Sequence, residues 1–268
     1  PDSTSVNRPG YKGDLYYKGH YSIDGKTRII LDCHATTGAR HDCNELVDRL
    51  DHISETYYLD INECIADAGY GHGPIYEDLK DRKIRAYIPL RDDKLGQGIH
   101  GPTENFRYDR KKDVYRCLAN KTLYPHSPAN GFTRYAIRNQ ECKACRFKKQ
   151  CFPENYKLTS RRVHRNHHQD HFERIRRRQY TDAFRIKRQE RSWKVEGIFG
   201  EAKKNHCLGR ARYRGLEKVQ IQLYLSAFVQ NIKRIIGVYG EAASSFLAYL
   251  VAIGSMSDLK TLILIEDY

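Results

Sequence analysis

The dipeptide Asp24-Gly25 sits between two stretches of alternating side chains, and no other feature restricts the fold as much. On its amino-terminal side Tyr17, Gly19, Tyr21 and Ile23 share one face at period two, so Leu15 to Ile23 reads as a strand. Asp-Gly favours a tight reversal, and Arg28 to Cys33 reads as the returning strand. The first regular unit is thus an antiparallel pair. Before it, Pro1 to Asp14 reads as irregular, with turn chemistry at Asn7-Arg8-Pro9-Gly10. After it, a helix opens at His41-Asp42 and runs to about Ile53 on a Leu46, Val47, Leu50 stripe. Glu63 to Ala66 is a short apolar strand, Ile75 to Lys83 a second helix and Ile84 to Pro89 another strand. Arg91 to Tyr108 is polar and Gly-rich and reads as a linker or mobile loop leaving the core.

Two carboxylates occupy positions suited to chemistry. The strand Glu63 to Ala66 ends on Asp67, with Gly69 and Gly71 just beyond. Sites of open α/β sheets collect at the carboxyl ends of strands, and glycine permits close backbone approach. The same pattern suits a strand-to-helix turn capped by Asp, so both readings stand. Farther along, Ser192 to Lys204 reads as one helix with Val195, Ile198, Phe199 and Ala202 as its apolar stripe. Glu196 lies at the edge of that stripe, and Lys203 falls on the same side two turns later. A carboxylate so placed among basic residues suits a metal ion that meets phosphate. A solvated Glu on an amphipathic helix gives the same pattern.

Cysteine spacing raises a second metal question. Cys117 is followed by Cys142-Lys143-Ala144-Cys145 and then by Cys151. Cys-x2-Cys lets two thiolates from one turn reach one tetrahedral zinc ion, and Cys117 and Cys151 would complete four ligands. The gap between Cys145 and Cys151 departs from the usual paired spacing, so free thiols are the other reading. Cys33, Cys43, Cys64 and Cys207 read as small core residues. With eight Cys and no secretory signal, the expectation is a reduced, cytoplasmic protein.

Charge points to the partner. Of a net +14, a surplus of 12 lies between Lys143 and Lys194, which holds 17 Lys and Arg against 5 Asp and Glu. A local basic stretch fits nucleic acid better than a general solubility bias does. Arg161, Arg162, Arg176 and Arg177 lie in it, and Lys203, Lys204, Arg210, Arg212 and Arg214 follow. These are the candidate contacts to DNA phosphates, which position a duplex without reading its sequence. No apolar run reaches the length of a membrane helix, so no membrane partner is expected. Leu216 opens a long helix to about Ile236, and Glu241 to Tyr268 reads as a further helix and an apolar tail without chemistry. The chain opens on Pro1 rather than Met and reads as a fragment or a processed product.

Five pieces in order resemble a bacterial insertion-sequence transposase of the DDE class. Tyr17-Lys18-Gly19-His20 with Ile23-Asp24 resembles the family's second strand, and Thr37-Gly38-Ala39-Arg40-His41-Asp42 its loop before the first helix. Ala66-Asp67-Ala68-Gly69-Tyr70 resembles the segment carrying the second catalytic Asp. Cys117, Cys142, Cys145 and Cys151 resemble a Cys-bearing insertion of one branch. Val195-Glu196-Gly197-Ile198-Phe199-Gly200 with Lys203 resembles the helix of the catalytic Glu.

The resemblance implies an α/β fold of RNase H-like type, a mixed sheet flanked by helices. It implies phosphoryl transfer on DNA, with Asp67 and Glu196 among the ligands of two Mg²⁺ or Mn²⁺ ions. It also implies a homo-oligomer on transposon ends and target DNA, nucleoid-associated in a bacterial cytoplasm. The expected division is 1–100 as the start of the catalytic core and 101–160 as a zinc-binding insertion. The basic region and Glu helix then fill 161–240, and 241–268 forms a helical tail. Two departures stand out. The family's first catalytic Asp precedes the segment resembling Tyr17 to Asp24, so the triad reads as incomplete. The family's Arg four residues before the Glu is Ser192 here, with Arg191 beside it. The competing reading is a non-catalytic DNA-binding remnant of a transposase.

Overall fold

The computed structural model describes residues 3–6, 14–90, 105–152 and 159–253. The turn Asn7-Arg8-Pro9-Gly10, most of the stretch read as a linker and the tail past Ile253 lie outside these residues. In chain order the strands and helices are β1 (Thr4–Val6), β2 (Asp14–Ile23), β3 (Ile30–Thr37), α1 (Leu46–Tyr57), β4 (Glu63–Ile65), α2 (Gly73–Asp81) and β5 (Arg85–Tyr87). Next come β6 (Arg107–Asp109), β7 (Val114–Arg116), β8 (Thr122–Ala129), β9 (Phe132–Ala136), α3 (Asn139–Lys143) and α4 (Lys148–Cys151). The last are β10 (Arg162–Asn166), α5 (Gln169–Arg178), α6 (Asp182–Asn205) and α7 (Leu216–Ile253). Helices and strands of both kinds make this a mixed α/β fold. They form two compact units: residues 1–41, 51–58 and 190–268, and residues 42–50 and 59–189.

In the first unit β1, β2 and β3 form an antiparallel sheet in that order. The expected hairpin is present, but its reversal is longer than two residues. Asp24 N–H donates to Ile29 O at 2.8 Å, and Arg28, at φ 62°, donates to Asp24 O at 3.0 Å. The Asp24 carboxylate accepts from Lys26 N–H, Thr27 N–H and the Thr27 hydroxyl. Burial pushes its pKa up, but these bonds outweigh that and hold it below the ordinary value. The stretch read as irregular contains β1, which pairs Thr4 with Tyr16.

Helix α7 packs across β3. Val219, Leu223 and Ala227 meet Ile30, Cys33, Ala35 and Ile198 in one buried cluster. Between these apolar contacts, α7 binds the edge of the sheet. Gln220 donates to Cys33 O and accepts from Ala35 N–H, and Asn231 donates to Ile30 O and accepts from Ile30 N–H. A bare edge strand is a template for unwanted pairing, and two amides three helical turns apart cover this one. The helix runs on to Ile253, past the expected end near Ile236, so Gly237 and Gly240 do not interrupt it.

The second unit has two cores. β4 and β5 are a parallel pair, with Cys64 opposite Ala86, joined through α2. Their cluster includes Ala66, Ile75, Leu79 and Ile88, closed by Phe172 and Ile175 from α5. A five-stranded antiparallel sheet in the order β10-β9-β8-β7-β6 carries the other, built on Phe106, Tyr115, Leu123, Tyr135, Ile137, Cys142 and Val163. Arg165 is its polar anchor: its guanidinium lies 3.7 Å from the Tyr108 ring centroid and donates to Tyr115, Asp170 and Glu173. Among the described residues no helix is long and apolar enough to cross a membrane.

Candidate functional site

Asp67 leaves β4 and caps the short 3-10 turn Ala68–Tyr70, its Oδ1 accepting from Gly69 N–H at 2.7 Å. The cap reading is therefore correct, and the carboxylate is also exposed. Two neighbouring glycines fix this corner. A Cβ on Gly71 would lie 2.6 Å from Pro89 O, and one on Gly73 would lie 2.4 Å from the His168 ring, closer than real contacts allow.

Glu196 lies on α6 in the first unit. The stripe read from the sequence is present, with Ile198 and Ala202 fully buried and Phe199 stacked on Tyr21 at 4.8 Å. Glu196 is exposed and accepts one hydrogen bond, from Ser192 Oγ at 3.1 Å. The other acids of this stretch are engaged. Glu190 pairs with Lys194 at 3.2 Å. Glu201 accepts from Gln230 and pairs with Lys233 at 3.3 Å and Arg234 at 3.2 Å. Burial raises the Glu201 pKa, but the Gln230 and Lys233 bonds with the nearby cations hold it below its ordinary value. Glu196 is thus the acid of the helix that folding leaves uncommitted. Lys203 and Lys204 are exposed in the last turn of the same helix.

The four cysteines read as one group do line one cavity of about 20 Å³, with Leu123, Phe152 and Arg161 among its other walls. Burial pushes the Cys142 and Cys151 thiols up, and the neighbouring thiols add to the shift. Among the described residues, however, no group of three or more His, Cys, Asp or Glu is close enough to hold a metal ion. The thiols share a cavity without forming a coordination sphere. The carboxylates are hard oxygen donors suited to Mg²⁺, but they too form no such group. Of the cysteines read as core, Cys33 and Cys64 are buried, and burial pushes the Cys64 thiol up to about 12. Cys207 is exposed, at φ 56° in the turn after α6.

The basic residues divide by exposure. Arg176 and Arg177 project from α5, and Arg210, Arg212 and Arg214 line the exposed loop before α7. Arg162 is half-buried in β10. Arg161 is 2 % exposed with its guanidinium 5.3 Å from the Phe106 ring centroid, a place from which it does not meet a duplex. Beyond the residues singled out from the sequence, a cleft of about 240 Å³ is lined by Lys80, Lys83, Arg85, His171, Arg174 and Arg178. Its signal was present: His171, Arg174 and Arg178 recur at i, i+3 and i+7, one face of a helix.

No curated protein and no solved structure matches the chain. A family model described as the transposase DDE domain matches residues 116–236. That span holds the four cavity cysteines, Glu196, Lys203, the basic loop and the packed part of α7; Asp67 lies outside it. Over residues 116–236 the chain is thus similar to the transposase DDE domain, which supports a DDE-class transposase.

Proposed function

We propose that this protein acts in DNA transposition, cleaving DNA strands and joining them to a target, with Asp67 and Glu196 each required. DDE-class transposases generally use divalent metal ions, whose chemistry is to stabilise the attacking and leaving oxygens of a phosphoryl transfer. The single observation that carries the reading is Glu196: the matched domain includes it, and it is the one acid of its stretch not consumed by a structural ion pair. Asp67 is supported by its place at the carboxyl end of a parallel strand. An RNase H-like core belongs to this proposal, as do the insertion-sequence origin and a triad whose first Asp precedes the segment resembling Tyr17 to Asp24.

Two further parts rest on separate observations. Zinc bound by Cys117, Cys142, Cys145 and Cys151 is supported by their common cavity and the thiolate donor set, and it requires their side chains to close around the ion. A homo-oligomer is supported by α7, whose outward residues Ile221, Leu225, Phe228, Ile232 and Ile235 are all exposed. Their alternating spacing of four and three is that of a helix seam. The test of the main reading is nicking of duplex DNA in Mg²⁺ or Mn²⁺. Activity lost in Asp67→Asn and in Glu196→Gln, with DNA binding retained, supports catalysis. Wild-type protein that binds DNA but never nicks it supports the non-catalytic remnant.

A further inference from the structure

We infer that the cleft between α2, β5 and α5 is a phosphate-binding site that holds the sugar–phosphate backbone of DNA. The inference rests on the DNA-transposase reading and locates one of its contacts. Five cations, Lys80, Lys83, Arg85, Arg174 and Arg178, and one imidazole, His171, line a single open cleft of about 240 Å³. Three separate elements bring them together. Lys80 lies in the last turn of α2, Lys83 occupies the left-handed turn after it at φ 60°, and Arg85 starts β5. His171, Arg174 and Arg178 form the facing stripe of α5, held in place by buried Phe172 and Ile175.

Among the described residues, none of the five cations is in an ion pair. Two acids near the cleft have partners of their own: Glu77 faces His168 at 3.3 Å, and Glu63, which feels Arg85, pairs with Lys187 at 2.7 Å. By contrast, Arg165, Lys194, Lys233 and Arg234 all reach carboxylates. Five like charges gathered without counter-charge repel one another, and a bound polyanion removes that cost. The field is felt locally: burial lowers the pKa of His171, and Arg174 and Lys80 lower it further. Between the cations the walls are apolar at Ile84, Ala86 and Ile175, so the polar chemistry of the cleft is cationic and suits the phosphodiester backbone, which carries no sequence information.

The test is duplex DNA binding by the whole chain across a salt series, with Lys80→Gln/Arg174→Gln against Lys111→Gln/Lys112→Gln. Both pairs remove two exposed charges from the same unit, and the second pair lies away from the cleft. Thermal melting confirms that each variant folds. The cleft pair is expected to reduce the slope of log K against log salt by about two and to weaken binding roughly tenfold near 0.1 M salt, while the control pair changes little. An equal effect of both pairs, or an unchanged slope in the cleft pair, overturns the inference. So does loss of sodium pyrophosphate binding in the cleft pair with DNA binding intact, because the cleft then serves small phosphates. Wild-type nicking, measured in parallel, separates the two readings. Protein that nicks DNA while the cleft pair keeps its slope refutes the cleft alone. Protein that binds steeply through the cleft but never nicks refutes catalysis alone.

Discussion

Asn231 closes a two-bond ring with the backbone of Ile30: its amide donates to Ile30 O at 2.9 Å, and its carbonyl accepts from Ile30 N–H at 2.8 Å. One side chain thus satisfies both polar groups of an edge residue. Asn231→Leu keeps the approximate volume and leaves both groups unpaired beneath the helix. The expected loss is about 1–3 kcal/mol, because an orphaned backbone group costs more than the bond is worth. Urea denaturation measures it, and Gln220→Leu is expected to behave alike through Cys33 and Ala35.

Glu196 and Glu201 share a helix but have opposite expected phenotypes. Glu196→Gln removes nicking and leaves the urea midpoint within about 0.5 kcal/mol, as for other exposed positions. Glu201→Gln breaks the links to Lys233 and Arg234 and costs about 1 kcal/mol. The folded-state pKa of Glu201 is lowered, so its contribution is fully present above the unfolded value. It is lost as pH falls from about 4.5 through the folded value. Wild-type stability should therefore fall across that window more steeply than that of Glu201→Gln, as equilibrium unfolding at stepped pH would reveal.

Gly71→Ala tests the corner that carries Asp67. The new methyl group would meet Pro89 O, a backbone atom that cannot rotate away. A loss of about 1–3 kcal/mol is expected, in the range of overpacked sites. Gly131→Ala, with nothing near its Cβ but a φ of 75°, should lose only the smaller left-handed penalty, about 1 kcal/mol.

The outward seam of α7 predicts self-association. Leu225→Lys with Phe228→Lys places two charges on an exposed apolar stripe. Sedimentation should show wild-type protein associating with concentration and the variant monomeric, with equal melting temperatures. Monomeric wild type at the highest concentrations would remove the seam from the account.

The proposed closure of Cys117, Cys142, Cys145 and Cys151 around zinc predicts one zinc per chain in freshly purified, reduced protein. Chelation should destabilise the sheet of β6 to β10, because metal-binding energy is folding energy in such sites. Elemental analysis that finds no zinc would leave four thiols packed as ordinary core and wall residues.

Much of this could be read from the sequence where a periodic signal was local. The strand Leu15 to Ile23 alternates, and the stripe Val195, Ile198, Phe199, Ala202 recurs at helical spacing; both elements are present. The five-stranded sheet is not legible in the sequence because its strands carry little alternation. β6 and β7 have three residues each, and β8 contains Pro125 and Pro128. The core of that sheet includes edge-to-face contacts of Tyr135 with Tyr108 and Tyr115, which come from separate strands and show no local period. The single α7 was divided at its glycines because propensity is a weak prior. The cleft stayed hidden because its six residues come from segments about ninety positions apart. Asp67 and Glu196 were legible as candidates because each sits at an element end or stripe edge, but only folding shows that Glu201, not Glu196, is the acid tied into ion pairs.

The claim that Asp67 and Glu196 are metal-dependent catalytic acids can be tested most directly by replacing Mg²⁺ with Fe²⁺ and ascorbate. The chain is then mapped where hydroxyl radicals cut it. The account predicts cuts beside Asp67 and beside Glu196, both suppressed by excess Mg²⁺. The first set should vanish in Asp67→Asn and the second in Glu196→Gln. Cuts absent from both places, or unchanged by Mg²⁺ and by the substitutions, would contradict it.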